Sequence, residues 1–315
     1  MTTKLTHPDK VLWPRRRITK ADLAMYYEAA AGRLLPQLSD RPVTLKRFND
    51  GVEGEGFFQK NLPTSTPRSV RRFETWSETS HRNVTYALIH DEDDLRWCAQ
   101  SNALELHPWF SRADLPEHPD TCAFDLDPSS PAQDVCRAGC DVHDVLRELG
   151  LDALVKTSGK RGLHVYVPIE RRYDIDGLRA FTLGVARMVA ARHPERYTVE
   201  MRKADRGSRL LIDWSRAGAA QTLVAAWSPR ATAQATVSTP LAWDEVERGV
   251  DPTALTLPGV LERPDVWREA PVRPQRLESA AAALREARID LEVISPRART
   301  SAPRTRRAVD LGRDG

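Results

Sequence analysis

The stretch that most constrains the fold is residues 121–128, which predict a buried strand that ends in two carboxylates. Its interior is apolar, and Pro128 stops it because proline cannot donate to a strand ladder. Side chains alternate along a strand, so Asp125 and Asp127 point to the same face. Paired ionised carboxylates repel each other and resist desolvation, which a divalent cation would relieve. Oxygen ligands of this kind suit Mg²⁺ or Mn²⁺. A strand-end turn whose aspartates face water is the alternative.

The distribution of charge is more informative than its sum. The net charge of the 315-residue chain is only +3, with 47 Lys and Arg against 44 Asp and Glu. The basic residues gather in clusters, which suits a polyanionic partner, although charge runs are more often solvated faces. These clusters lie around residues 15–17, 68–72, 156–161, 202–209 and in the C-terminal tail.

Two further compositional features bear on where the chain works. Apolar runs fall far short of the ~18 residues that span a membrane, and no apolar signal segment follows Met1. We therefore expect no membrane association and a cytoplasmic, nucleoid-associated location. Cys136, Cys140 and His143 would share one helical face, which leaves zinc open. Thiols on a helix that packs against a sheet are favoured, because the usual Cys-x₂-Cys pairs are missing.

Strands and helices intermingle without a strict βαβ rhythm, which predicts an α+β (mixed α/β) fold. Thr19 and Asp22 are expected to cap a helix that ends at Pro36. Residues 222–227 are expected to form a strand. Residues beyond 295 are rich in Pro, Arg, Thr and Ser, which predicts a disordered basic tail. The expected boundaries are one domain over 1–294, divided at about 115 and 250, and a tail over 295–315.

Two more stretches point to phosphate chemistry. Residues 156–164 contain two glycines that allow a tight turn whose amides can face an anion, with Ser158 before the turn and His164 after it. A plain hairpin with exposed charges is the alternative. Asp213 ends a second apolar strand and could complete a cradle for two metal ions together with Asp125 and Asp127.

These motifs resemble the archaeo-eukaryotic primase superfamily, most closely the polymerase domain of bacterial ATP-dependent DNA ligase D. The resemblance rests on Asp125-x-Asp127, Ser158-Gly-Lys-Arg-Gly-Leu-His164 and Asp213, and continues through residues 5–14, 105–109 and 237–243. It implies a primase-type core with two facing β-sheets flanked by helices. It also implies a template-dependent polymerase that fills gaps at double-strand breaks in non-homologous end joining and prefers ribonucleotides.

The resemblance also implies roles for individual residues. Catalytic positions would be Asp125, Asp127, Asp213 and His107, with the three aspartates as ligands for two Mn²⁺ or Mg²⁺ ions. The nucleoside triphosphate, ribo or deoxy, would be held by Ser158, His164, Lys160, Arg216 and Arg230. DNA contacts would come from Lys10 and Lys20 on a downstream 5′-phosphate, from the template-stacking pair Phe57 and Phe58, and from Lys46.

The partners implied are DNA with phosphorylated ends, gaps or overhangs, the protein Ku, and a separate ATP-dependent DNA ligase. A ligase needs a Lys-x-Asp-Gly motif, which residues 46–51 miss by two positions. The chain is expected to be a monomer, with pairing of two copies across a break left open. Two other classes stay open: a metal-dependent nuclease or phosphodiesterase, and a DNA-end-binding module without catalysis.

Overall fold

The computed structural model describes residues 3–78, 80–216, 218, 220–257 and 259–292. The helices within these residues are α1 (Lys20–Leu38), α2 (Glu92–Gln100), α3 (Val135–Glu148), α4 (Ile175–Arg192), α5 (Trp243–Glu247), α6 (Val266–Glu269) and α7 (Glu278–Glu286). The strands are β1 (Val11–Trp13), β2 (Ile18–Thr19), β3 (Pro42–Arg47), β4 (Phe57–Gln59), β5 (Arg71–Ser77), β6 (Arg82–Leu88), β7 (Ala103–Pro108), β8 (Thr121–Leu126), β9 (Leu154–Thr157), β10 (Leu163–Pro168), β11 (Tyr197–Thr198), β12 (Leu210–Asp213) and β13 (Pro240–Leu241).

The C-terminal sheet has the strand order β11-β12-β8-β10-β9-β13. Phe124 and Leu126 of β8 point to one face, where α3, α4 and α7 cover them in a continuous apolar core. Asp125 lies between them in sequence and therefore points to the opposite face. The alternation along β8 thus separates the core of the sheet from its polar face.

The N-terminal sheet has the order β4-β3-β6-β5, with β7 paired to the other side of β3. Helices α1 and α2 pack on it through a second apolar core, and Trp227 and Val237 from the second half of the chain join that core. Leu154 and Tyr166 of the C-terminal sheet also pack against it. The predicted α+β fold with two facing sheets and flanking helices is confirmed.

Two local predictions are wrong. Pro36 does not end α1, which continues to Leu38. A proline in the last turn removes only one backbone donor, and the amide of Ser39 still bonds the carbonyl of Leu35. Residues 222–227 do not form a strand, because their amides bond scattered acceptors such as the carbonyls of Leu106 and Ser238.

The cysteine-bearing face of α3 packs against its neighbours. The Cys136 thiol donates to the carbonyl of Val250 at 3.2 Å, and the His143 ring stacks on Trp243 with centroids 3.7 Å apart. Cys140 is half-buried on the same helix. Among the described residues, no helix is both long and apolar enough to cross a membrane. The tail predicted beyond residue 295 lies outside them.

Candidate functional site

A polar cavity of about 410 Å³ lies between the two sheets. Its size is in the range of small-molecule sites, about 300–1,000 Å³. Nine of the residues expected at the active site line it, drawn from both sheets and the loops beside them: Phe58, His107, Asp125, Asp127, Ser158, Lys160, His164, Arg216 and Arg230. The fold therefore brings one cluster of chemically capable side chains together from distant parts of the chain.

The strand register aligns the polar side chains of the C-terminal sheet in one row. Asp125 of β8 pairs with Asp213 of β12 on one side and with His164 of β10 on the other. His164 in turn pairs with Lys156 of β9. Directly paired residues point to the same face, so the row lies on the side of the sheet that faces the cavity.

Arg216 joins the two carboxylates of this row. Its Nη2 atom lies 2.6 Å from Asp213 Oδ2 and 3.0 Å from Asp125 Oδ2. Burial raises the pKa of Asp125 to about 6, the guanidinium of Arg216 opposes this rise, and the charges of Asp213 and Asp127 add to it. The two carboxylates therefore need a positive group, and one guanidinium supplies it here.

The aspartates have the chemistry for a divalent metal, although they are not gathered as a ready-made set of ligands. Within the described ranges, no three His, Cys, Asp or Glu side chains form a group that could hold a metal ion. Asp213 is buried with its Oδ1 bonded to the amide and hydroxyl of Ser215, whereas Asp127 is exposed at the cavity. Carboxylate oxygens of this kind are the donors that Mg²⁺ and Mn²⁺ prefer.

Two amides of the glycine turn, which the sequence analysis expected to face an anion, bond the Ser158 side chain instead. Ser158 Oγ accepts hydrogen bonds from the amides of Lys160 and Gly162, at 3.2 and 3.1 Å, so its own proton can be donated to a group in the cavity. Gly159 has φ +67° and leaves no room for a Cβ beside Arg230. A Cβ on Gly162 would lie 2.5 Å from the carbonyl oxygen of Leu126. Both glycines are therefore required by the backbone.

His164 is buried and held between two charged groups. Its Nε2 atom lies 3.4 Å from Asp125 Oδ1, and its Nδ1 atom lies 2.7 Å from the Nζ of Lys156. Burial lowers the pKa of His164 well below its ordinary value, and the charges of Lys156 and Arg230 lower it further. The amine at Nδ1 and this lowered pKa both favour a neutral imidazole with a single ring proton.

Glu105 organises the N-terminal side of the cavity and was missed by the sequence analysis. It is buried, its Oε2 lies 2.9 Å from His107 Nε2, and its Oε1 lies 3.5 Å from Arg230 Nε and accepts the amide of Ala231. Burial disfavours its ionised form, but the hydrogen bond from His107 and the charge of Arg230 outweigh burial and lower its pKa to about 2. Its alternation with His107 along β7 was the available signal.

The expected DNA-contacting aromatics lie at the edge of the N-terminal sheet. Phe58 is 55% exposed and meets the His107 ring edge-on, with centroids 5.4 Å apart. Lys46, its pairing partner on β3, places its Nζ 5.2 Å from the Phe58 ring. Phe57 follows the alternation of the strand and packs under Arg47 instead. Only Phe58 of the pair therefore borders the cavity.

Lys10 and Lys20 lie apart from the cavity and next to each other. They flank the β1–β2 hairpin, and the amide of Lys20 bonds the carbonyl of Lys10 at 2.8 Å. The Lys20 side chain is 3% exposed, with its Nζ 3.1 Å from the carbonyl of Gln100. Burial lowers its pKa, as do the charges of Lys10 and Arg47. The positive charges of Lys10, Lys20 and Arg47 thus lie near one another, and the carbonyl of Gln100 accepts from Lys20.

The hairpin also reaches the cavity. The buried Trp13 side chain donates from Nε1 to the carbonyl oxygen of Arg230 at 3.2 Å. The side chain of Arg230 lines the cavity beside Lys160. One tryptophan therefore connects the lysine pair to the wall of the cavity.

Comparisons with known proteins find similarity over most of the chain. A family model described as "LigD, primase-polymerase domain" matches residues 19–269. The multifunctional non-homologous end joining protein LigD of Mycolicibacterium smegmatis is 35% identical over 249 residues, which cover 77% of this chain and 32% of that protein. The bifunctional non-homologous end joining protein LigD of Bacillus subtilis is 29% identical over 265 residues, 82% of this chain and 42% of that protein. The chain therefore spans about a third to two fifths of the length of these relatives.

One solved structure extends the comparison to the fold. The polymerase domain of Mycobacterium tuberculosis ligase D, in complex with DNA, superposes with a TM-score of 0.77 at 30% identity, covering 89% of this chain and 98% of that one. The likeness thus extends over nearly the whole of that domain.

Proposed function

Because the chain belongs to the LigD primase-polymerase domain family, we propose that it extends the 3′ end of a DNA strand along a template and fills short gaps at double-strand breaks. Membership of that family implies a nucleotidyltransferase. The observation that carries the finer proposal is the single cavity in which Asp125 and Asp127 lie with Ser158, His164 and Arg230. Carboxylates for metal binding next to donors for phosphate oxygens are the requirements of phosphoryl transfer.

The donors on the cavity wall are suited to a triphosphate. The Ser158 hydroxyl, the ammonium of Lys160 and the guanidinium of Arg230 can each bond phosphate oxygens. Glu105 forms an ion pair with Arg230 at 3.5 Å, which favours a position of the guanidinium at the cavity before a ligand arrives. Phe58, exposed beside His107, offers a face on which a base can stack.

Asp125, Asp127 and Asp213 would hold Mg²⁺ or Mn²⁺. Such an ion, when bound, would neutralise charge that develops at the transferred phosphate and activate the attacking hydroxyl. Arg216 bonds two of these carboxylates, so the guanidinium and a cation compete for the same oxygens. If Arg216 moved toward the incoming phosphates, the guanidinium would pair with the phosphates and the carboxylates would be free to bind the cation.

Incubation with labelled primer-template, Mn²⁺ and nucleotides tests the proposal. Longer product is expected from the wild type, and Asp125→Asn or Asp127→Asn should abolish extension while gel-shift binding of DNA is retained. Asp114→Asn is a matched control, because Asp114 pairs with Arg171 on the surface. Extension by either active-site variant would contradict the proposal. Shortened product would indicate a nuclease, and a shifted complex alone a binding module.

Ribonucleotides are the proposed preferred substrates. A site built to bond a 2′-hydroxyl disfavours the analogue that lacks it. The comparison is kcat/KM for ATP against dATP opposite the same template base. Equal values for the two nucleotides would remove this part of the proposal.

Lys10 and Lys20 are proposed to bind a 5′-phosphate at the far side of a gap. Their convergence with Arg47, together with the start of α1, provides positive charge for an anion. Filling of a gap with a 5′-phosphate should be faster than with a 5′-hydroxyl, and Lys10→Ala with Lys20→Ala should erase the difference while open primer extension persists. Persistence of the preference in the double variant would place the phosphate elsewhere.

Ku and a separate ATP-dependent ligase are the proposed partners, to be sought by co-purification on broken DNA.

A further inference from the structure

Lys156 is a buried lysine that none of the roles above requires. It lies in β9 with 0% of its surface exposed, although lysine is almost never fully buried unless it is paired. Burial lowers its pKa well below the ordinary value, and the charge of Arg230 lowers it further, against the opposing charge of Asp125. Such a costly placement calls for a specific partner.

The partners of Lys156 define the direction of its hydrogen bonds. Its Nζ lies 2.6 Å from Ser238 Oγ, whose own proton goes to the carbonyl of Thr157 at 2.7 Å. The serine oxygen must therefore accept from the lysine. The Nζ also lies 5.4 Å from the centre of the Tyr166 ring and 2.7 Å from His164 Nδ1. The amine is enclosed by an acceptor, an aromatic face and the imidazole.

The other nitrogen of His164 has the opposite kind of partner. Its Nε2 lies 3.4 Å from a carboxylate oxygen of Asp125, which can only accept when ionised. An imidazole between an acceptor at Nε2 and a donor at Nδ1 is best matched when its single proton is on Nε2. His164 and Asp125 both line the cavity.

We propose that Lys156 is a positioning residue that donates to His164 Nδ1, fixes the tautomer protonated at Nε2, and so presents an N–H donor to a triphosphate in the cavity. The tautomer follows from the contacts themselves, and its use by a nucleotide rests on the function proposed above. The partner that fixes a histidine's orientation commonly determines which of its nitrogens serves the ligand. The pairing of Lys156 with His164 across β9 and β10 keeps the two side chains adjacent.

The tautomer can be measured without nucleotide or metal. In protein with ¹⁵N-labelled histidine, long-range ¹H–¹⁵N correlation spectra show which ring nitrogen is protonated, and His164→Gln identifies the His164 signal among the eight histidines. The wild type is expected to show His164 protonated at Nε2 only. Lys156→Met should give a mixture of tautomers, and Lys4→Met, an exposed control, should leave the signal unchanged. A proton on Nδ1 in the wild type, or an unchanged signal in Lys156→Met, would overturn the inference.

A second variant and a kinetic comparison complete the test. Ser238→Ala removes one acceptor of the Lys156 amine and should give a small fraction of the other His164 tautomer. The inference therefore stays testable if Lys156→Met fails to fold. In primer extension, Lys156→Met should raise KM for the nucleotide about tenfold, the equivalent of one hydrogen bond, with a smaller effect on kcat. If the tautomer changes in Lys156→Met but KM does not, Lys156 still positions His164. That result would contradict the part of the proposal in which His164 donates to the nucleotide.

Discussion

At the scale of single residues, the site depends on buried charges that neutralise one another. Glu105 is 1% exposed and holds His107 and Arg230, while Arg216 joins Asp125 and Asp213. A charge left buried without its partner is far costlier than the pair. Changes at these positions should therefore affect stability as well as activity.

Glu105→Gln should destabilise the protein in a pH-dependent manner. The pKa of Glu105 is lowered to about 2, against about 4.3 in an unfolded chain, so its stabilisation is full at neutral pH and is lost as pH falls from about 4.3 toward 2. We expect the unfolding free energy of the variant to be lower than that of the wild type by about 2–3 kcal/mol at pH 7, and this difference to shrink by roughly 0.6 kcal/mol at pH 4. Urea unfolding at both pH values measures this. A difference in unfolding free energy that does not depend on pH would contradict the charge network.

Gly162→Ala should displace the glycine turn that is proposed to bind phosphate. Its Cβ would lie 2.5 Å from the carbonyl oxygen of Leu126, and relief by a backbone shift typically costs about 1–3 kcal/mol. Because Ser158 Oγ bonds the amide of Gly162, KM for the nucleotide should rise as well. Gly32→Ala is the control, since nothing lies within 4 Å of its added Cβ and alanine favours the helix. Equal effects of the two substitutions on KM and melting temperature would exclude this role of the turn.

At the scale of elements, sequence patterns were reliable where one strand or turn carries its own signal. The alternation predicted a common face for Asp125 and Asp127, and both line the cavity, although β8 ends at Leu126. The glycines predicted the turn before β10. Lys156 and Glu105 were missed because their importance arises from pairing with strands that are distant in sequence. Residues 222–227 look like a strand by composition, but their apolar side chains are buried by packing without a ladder.

The capping box of α1 gives a prediction at this scale. Thr19 Oγ1 accepts the amide of Asp22 at 3.2 Å, and Asp22 Oδ2 accepts the amide of Thr19 at 2.7 Å. Thr19→Ala should cost about 1 kcal/mol and, by loosening the start of the helix beside Lys20, weaken the preference for a 5′-phosphate. Asp174→Ala removes the cap of α4 through its bond to Gly177, so it should cost similar stability and leave the preference intact. Loss of the preference in both variants would attribute it to general destabilisation.

At the scale of the whole molecule, two cores support one cavity. The core under the C-terminal sheet and the core of the N-terminal sheet involve different helices, and the cavity residues come from both sheets. The resemblance predicted this arrangement as a fold, but the bond from Trp13 to the carbonyl of Arg230 could not be read from sequence, since it joins residues at opposite ends of the domain.

The Trp13 bond gives the molecule a fixed internal length. One end is the lysine pair proposed to bind the downstream phosphate, and the other is the cavity proposed to bind the incoming nucleotide. With a buried tryptophan between them, the two binding sites would be held at a set separation. Filling should therefore be fastest for one gap length and slower for shorter and longer gaps. Trp13→Phe keeps an aromatic side chain but removes the N–H donor and part of the buried indole, so rates across a series of gap lengths should flatten while extension of open primers is unchanged. A wild-type rate independent of gap length would mean that the two ends act separately.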